Sequence, residues 1–114
     1  MKAKGLFISL IACLSCVAGN PEASQVRGYA SCGEWTQQHT GSGTASTWVG
    51  AAQEKWILGY LSGWAMSSDK DFMRDVDTAS VSLWVTNYCR ANPLNDVADA
   101  GLELGHELIR RKGL

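Results

Sequence analysis

At residues 56–66 the chain reads WILGYLSGWAM, eleven residues without a formal charge. In helical geometry Trp56, Tyr60 and Trp64 fall at i, i+4 and i+8, and Gly59 and Gly63 repeat four apart beside them. Each interior glycine costs a helix about 1 kcal/mol relative to alanine. Close approach of a second helix backbone is the expected compensation. The run is shorter than the roughly 20 apolar residues of a bilayer span, so no stable membrane crossing is expected. It is read as a central buried helix.

The N-terminal residues bear on the compartment. Lys2 and Lys4 precede an apolar stretch at 6–17, followed by small residues at 16–19. This is the layout of a signal peptide over 1–19, cleaved after Ala18 or Gly19, with Ala23 as a further option. Leu10-Ile11-Ala12-Cys13 has the form of a lipidation box, which gives a lipoprotein alternative at Cys13. The expected location is periplasmic. Removing the leader takes away Lys2, Lys4, Cys13 and Cys16, leaving eight Lys/Arg against eleven Asp/Glu, a charge of −3.

Cys32 and Cys89 then remain, and two cysteines in an exported chain are expected to form one disulfide. On the chain-entropy model, closing such a loop stabilises by about 4 kcal/mol. The remaining chain of about 95 residues forms one domain small enough to need that staple. Its mildly acidic balance, with no basic cluster beyond Arg110-Arg111-Lys112, argues against nucleic acid as a partner.

Residues 20–30 are polar and mixed, and read as a flexible N-terminal arm ahead of a single helical domain at 31–112. A short helical turn is expected from Cys32, then a Gly/Ser/Thr loop at 39–46. A long helix is expected over 46–67, and a charged connector at 67–77 anchored inward by Phe72, Met73 and Val76. Asp77 suits the N-cap of a third helix, whose Val81, Trp84, Val85 and Tyr88 share one face. Asn92-Pro93 ends it, and Pro93 is expected to open the last helix at its first position. There Leu94, Val97, Gly101, Leu104 and Leu108 form one apolar seam. Gly101 and Gly105 repeat the spacing of Gly59 and Gly63, which predicts two helices crossing glycine face to glycine face.

The fold class that follows is all-α: a small disulfide-stapled bundle of about four helices. Ser-Cys-Gly-Glu-Trp at 31–35, the aromatic helix after it, and Tyr-Cys-Arg-Ala-Asn-Pro at 88–93 resemble the HdeA/HdeB family of small periplasmic acid-stress proteins. That resemblance covers roughly 31–110 and implies an acid-stress chaperone. Gly-Tyr-Leu-Ser-Gly at 59–63 is also similar to the Rap1a/Tai-type immunity proteins, exported helical proteins that bind and block a secreted amidase. Neither group has catalytic residues to carry over.

The chemistry the residues themselves suggest is thin. Gly59-Tyr60-Leu61-Ser62-Gly63 places serine one position late for a nucleophile elbow. His106-Glu107-Leu108-Ile109-Arg110 has arginine where a metalloprotease motif has its second histidine. His39 and His106 read as surface histidines, and the aspartates at 69, 71, 75 and 77 as solvated connector carboxylates and caps. Cys89 paired with His106 as a thiol nucleophile is the alternative to the disulfide. The expectation is a non-enzymatic domain with no cofactor and no metal, bound to another protein or to a second copy of itself. Trp48, Trp56, Tyr60 and Trp64 do not all fit one face, so an aromatic edge among them is the expected partner surface.

Overall fold

A computed structural model describes residues 26–114; the expected signal peptide at 1–19, the Cys13 box and arm residues 20–25 lie outside the described residues. The regular structure is four helices: α1 (Cys32–Gln38), α2 (Trp48–Ser68), α3 (Thr78–Ala91) and α4 (Val97–Lys112). Among the described residues the only β pairing is two isolated bridges, Ser31 with Asp96 and His39 with Ala45. The domain is all-α. No helix among the described residues is long and apolar enough to cross a membrane.

Short polar side chains decide where each helix begins. Ser31 opens α1 with a capping box: its hydroxyl accepts the Glu34 N–H at 3.1 Å, and Glu34 Oε2 accepts the Ser31 N–H at 2.7 Å. Thr47 caps α2 and Asp77 caps α3, the latter as expected from sequence. α4 starts four residues later than Pro93, because Asp96 with Asp99 at the third position forms a second capping box. Asn92-Pro93-Leu94-Asn95 is instead a turn, closed by Asn95 N–H donating to Asn92 O at 3.1 Å. Leu94 leaves the expected seam and stands 99% exposed.

The Cys32–Cys89 disulfide ties the first residue turn of α1 to the last turn of α3, with Cα atoms 4.9 Å apart. Both sulfur-bearing residues are buried, beside Trp35, Val85 and Val97. Three strands of contact meet at this corner. Cys32 N–H donates to Asn95 O and Val97 N–H to Ala30 O, both at 2.9 Å. The end of the arm is therefore bonded to the α3–α4 turn, where the sequence suggested a loose segment.

α2 buries one stripe, Ile57, Leu61 and Ala65, against the core. Trp56, Tyr60 and Trp64 flank that stripe half-buried, while Gly59, Ser62, Gly63 and Met66 face outward. The helix is thus one-sided, not buried all round. The glycine pairs also part company. A Cβ on Gly59 or Gly63 would meet nothing within 4 Å. One on Gly101 would lie 2.6 Å from Ile57 Cδ1 and 2.9 Å from Tyr60 Cδ1; one on Gly105 would lie 2.6 Å from Trp64 Cε3. The expected glycine-to-glycine crossing is corrected: α4 uses its glycines to admit aromatic rings from α2, and the α2 glycines lie on the opposite, open face.

Candidate functional site

Where the arm crosses the start of α2, the residues that hold the fold together also leave a groove open. Trp56 Nε1–H donates to Arg27 O at 3.0 Å, and the Tyr29 ring meets Trp56 edge-on with centroids 6.1 Å apart. These two contacts fix residues 27–29 along the helix. Between them, the first turn of α1 and the first two turns of α2 lies an open groove of about 380 Å³. Trp48, Trp56 and Tyr29 supply its aromatic surface, and Glu34 is the one charged residue lining it. The volume lies within the range of ligand-binding clefts.

Trp48 sits at the first position of α2 and is 83% exposed. A ring that large contributes most when buried, so an exposed one at a groove rim is a ready contact. Gln53 also lines the groove, and its Oε1 is buried without a hydrogen-bond partner. Such an atom costs free energy until a donor reaches it. Glu34 carries a depressed pKa because the Ser31 backbone N–H, aided by the Ser31 hydroxyl, holds the ionised carboxylate. It therefore stays negative throughout the neutral range.

Of the four aromatics expected to form a partner surface, the structure brings Trp48 and Trp56 to this groove. Tyr60 and Trp64 are committed elsewhere. Tyr60 stacks on Trp56 at 5.4 Å and lies over Gly101, while Trp64 lies over Gly105 with Phe72 and His106 edge-on at 5.2 and 5.1 Å. Burial, with the nearby Asp99 charge, raises the Tyr60 pKa above the ordinary phenol value. Tyr29, Glu34 and Gln53 were not expected at a site. No periodicity links the arm to α2; the signal was the bare presence of a tyrosine beside the Cys-Gly-Glu-Trp segment.

A second polar cluster joins α1, α2 and α3. Trp35 Nε1–H donates to Thr86 Oγ1 at 2.9 Å, Thr86 donates to Ser82 O at 2.8 Å, and Ser82 donates to Glu54 Oε1 at 2.9 Å. His39 stacks on Trp35 at 3.7 Å, with Nδ1 2.8 Å from Trp35 O and Nε2 3.5 Å from Glu54 Oε1. His39 is thus buried at 8% exposure, which corrects its reading as a surface histidine; His106 is exposed. The order is serine, glutamate, histidine. A hydrolytic relay needs histidine between the nucleophile and the acid, and Ser82 is itself only 2% exposed. The cluster works as a polar strut that ties the end of α1, from Trp35 to His39, to α2 and α3.

The chain matches no family model, no curated protein and no solved structure in the comparisons made.

Proposed function

We propose that this domain is a non-enzymatic, exported protein that binds another protein through the groove at the start of α2. The observation that carries the reading is Trp48: a tryptophan 83% exposed, at the mouth of a groove lined by two further aromatic rings. Aromatic anchors of this kind dominate binding hot spots. The groove exists in the folded state, with its walls set by the disulfide corner and the Trp56–Arg27 hydrogen bond. That favours a specific partner bound by the native fold, as an inhibitor or a Rap1a/Tai-type immunity protein would bind an effector.

A second reading, an HdeA-like acid-stress chaperone, has its own support. Ser80, through its hydroxyl and then its N–H, depresses the Asp77 pKa at the start of α3, as Ser31 depresses that of Glu34 at the start of α1. A carboxylate with a lowered folded pKa stabilises at neutral pH and loses that contribution as pH falls through the lowered value. Both caps therefore weaken in acid. There the mature chain also carries about +10 from eight Lys/Arg and two histidines. Self-repulsion then opens the helices while the disulfide keeps them together.

The test is a photo-crosslinking residue in place of exposed Ala52, which lines the groove and leaves Trp48 intact, in the exported protein, with exposed Ser62 as the control position. The binding reading expects one discrete adduct from position 52 and none from 62. Equal or absent adducts from both contradict it. Light scattering of an aggregating client at about pH 2–3 separates the second reading, since acid-induced dye binding without suppressed aggregation rejects a chaperone.

A further inference from the structure

The groove carries more information than its apolar walls. Its one charged lining residue is Glu34, and no cationic side chain lines it. Glu34 Oε2 takes the Ser31 N–H at 2.7 Å, which leaves Oε1 to face solvent as an acceptor. Asp96 and Asp99 flank Val97, another lining residue, and add negative charge at the same corner. Two basic residues adjoin lining residues along the chain, Arg27 before Gly28 and Lys55 before Trp56; neither lines the groove, and Arg27 contributes its backbone carbonyl to Trp56. Three helix N-termini border the site, yet each is already capped by Ser31 and Glu34, Thr47, or Asp96 and Asp99. Their positive ends are matched, so the groove does not call for an anion.

We propose that the groove receives an arginine side chain presented by the protein partner, its guanidinium against the Trp48 and Trp56 rings and paired with the Glu34 carboxylate. This rests on the reading of the groove as a protein contact surface and adds the chemistry of what enters it. A cation is attracted to an indole face, and a planar guanidinium stacks there while keeping its edge N–H groups free to donate. Glu34 Oε1 lies at the rim to accept one of them. The Gln53 amide, whose Oε1 has no partner, gains one by turning toward another. Lysine offers a more strongly hydrated point charge and stacks less well. The net charge of −3 on the mature chain steers a basic segment toward it.

The probe is the tripeptide N-acetyl-Gly-Arg-Gly-amide, titrated into the oxidised mature protein while the tryptophan indole N–H resonances are followed. Its counterpart carries norleucine in place of arginine. The expected result is saturable shifts of the Trp48 and Trp56 indoles in the low-millimolar range, with norleucine weaker by about fivefold. Glu34→Gln retains the capping box, because a glutamine oxygen still accepts the Ser31 N–H, and is expected to weaken the arginine probe by about fivefold. Trp48→Ala is expected to do the same, and added salt to weaken arginine binding but not norleucine binding. Equal binding of the two probes, an unaffected Glu34→Gln variant, or no saturable indole shift with the arginine probe overturns the proposal. If crosslinking from position 52 persists in any of those cases, the contact surface stands and only its cationic preference fails; loss of both removes both.

Discussion

Alanine at Gly105 and alanine at Gly63 ought to move stability in opposite directions, although both glycines sit inside helices. Gly63 faces open space, so a methyl group adds no contact and brings only the helix propensity gain, about 1 kcal/mol. Gly105 receives the same gain, but its Cβ would stand 2.6 Å from Trp64 Cε3 and 2.8 Å from Trp64 Cη2. The Trp64 ring is held on its other sides by Phe72 and His106, so it cannot swing clear as the end of a flexible chain would. Overpacking of a fixed ring costs about 1–3 kcal/mol, and several sub-3 Å approaches place this case in the upper part of that range. The net expectation for Gly105→Ala is a loss of about 1–2 kcal/mol, and for Gly63→Ala a gain of about 1 kcal/mol. In a domain this size each kcal/mol moves the melting temperature by about 4–8 °C, so the two variants should melt roughly 10–20 °C apart. Thermal unfolding followed by far-ultraviolet circular dichroism reads this directly. Gly105→Ala melting at or above the wild type, or Gly63→Ala melting below it, refutes the ring-into-glycine packing of α2 on α4.

Reduction of Cys32–Cys89 should cost up to about 4 kcal/mol for a sequence separation of 57, and thiol titration of the oxidised protein should find neither cysteine free. Asp77→Asn and Glu34→Gln should flatten the decline of melting temperature on the acid side of the ordinary carboxylate range, because the groups with depressed pKa are gone; an unchanged acid slope in the double variant contradicts that linkage. Tyr60 should ionise at higher pH than free tyrosine, since burial and then Asp99 oppose the phenolate. The raised value means that its contribution is intact below the ordinary phenol pKa and lost as pH rises through the higher one. Tyr60→Phe should therefore resist alkaline unfolding better than the wild type, as ultraviolet titration alongside circular dichroism would record. A Trp48→Ala variant should melt within about 0.5 kcal/mol of the wild type, because the ring is 83% exposed.

The helices were legible because their caps and periods are local. Asp77 at the start of α3 and the 81, 84, 85, 88 face could be read from neighbouring residues alone. Pro93 misled because proline is welcome at a first helical turn in general, whereas the Asp96–Asp99 pair competes for that start four residues later and satisfies two amides at once. The glycine pairs misled for a different reason. Equal spacing in α2 and α4 says that each pair shares a face, but not which face meets the other helix. That choice was made by the Ile57, Leu61 and Ala65 stripe, which turns Gly59 and Gly63 outward. His39 looked like an ordinary loop histidine, and only the fold brings Trp35 and Glu54 to either side of it. Half of the aromatic site was visible as tryptophans in a short chain. Tyr29, Glu34 and Gln53 join it through the Ser31–Asp96 bridge and the Trp56–Arg27 hydrogen bond, contacts with no trace in local sequence.

Trp48 is proposed here as the anchor of a protein-binding groove. The most direct test of that proposal is the affinity of a partner captured from position 52, measured by calorimetry at neutral pH for the wild type and for Trp48→Ala. A hot-spot tryptophan predicts weakening of about thirtyfold or more, with the fold intact by circular dichroism. Equal affinities for the two proteins would contradict the account.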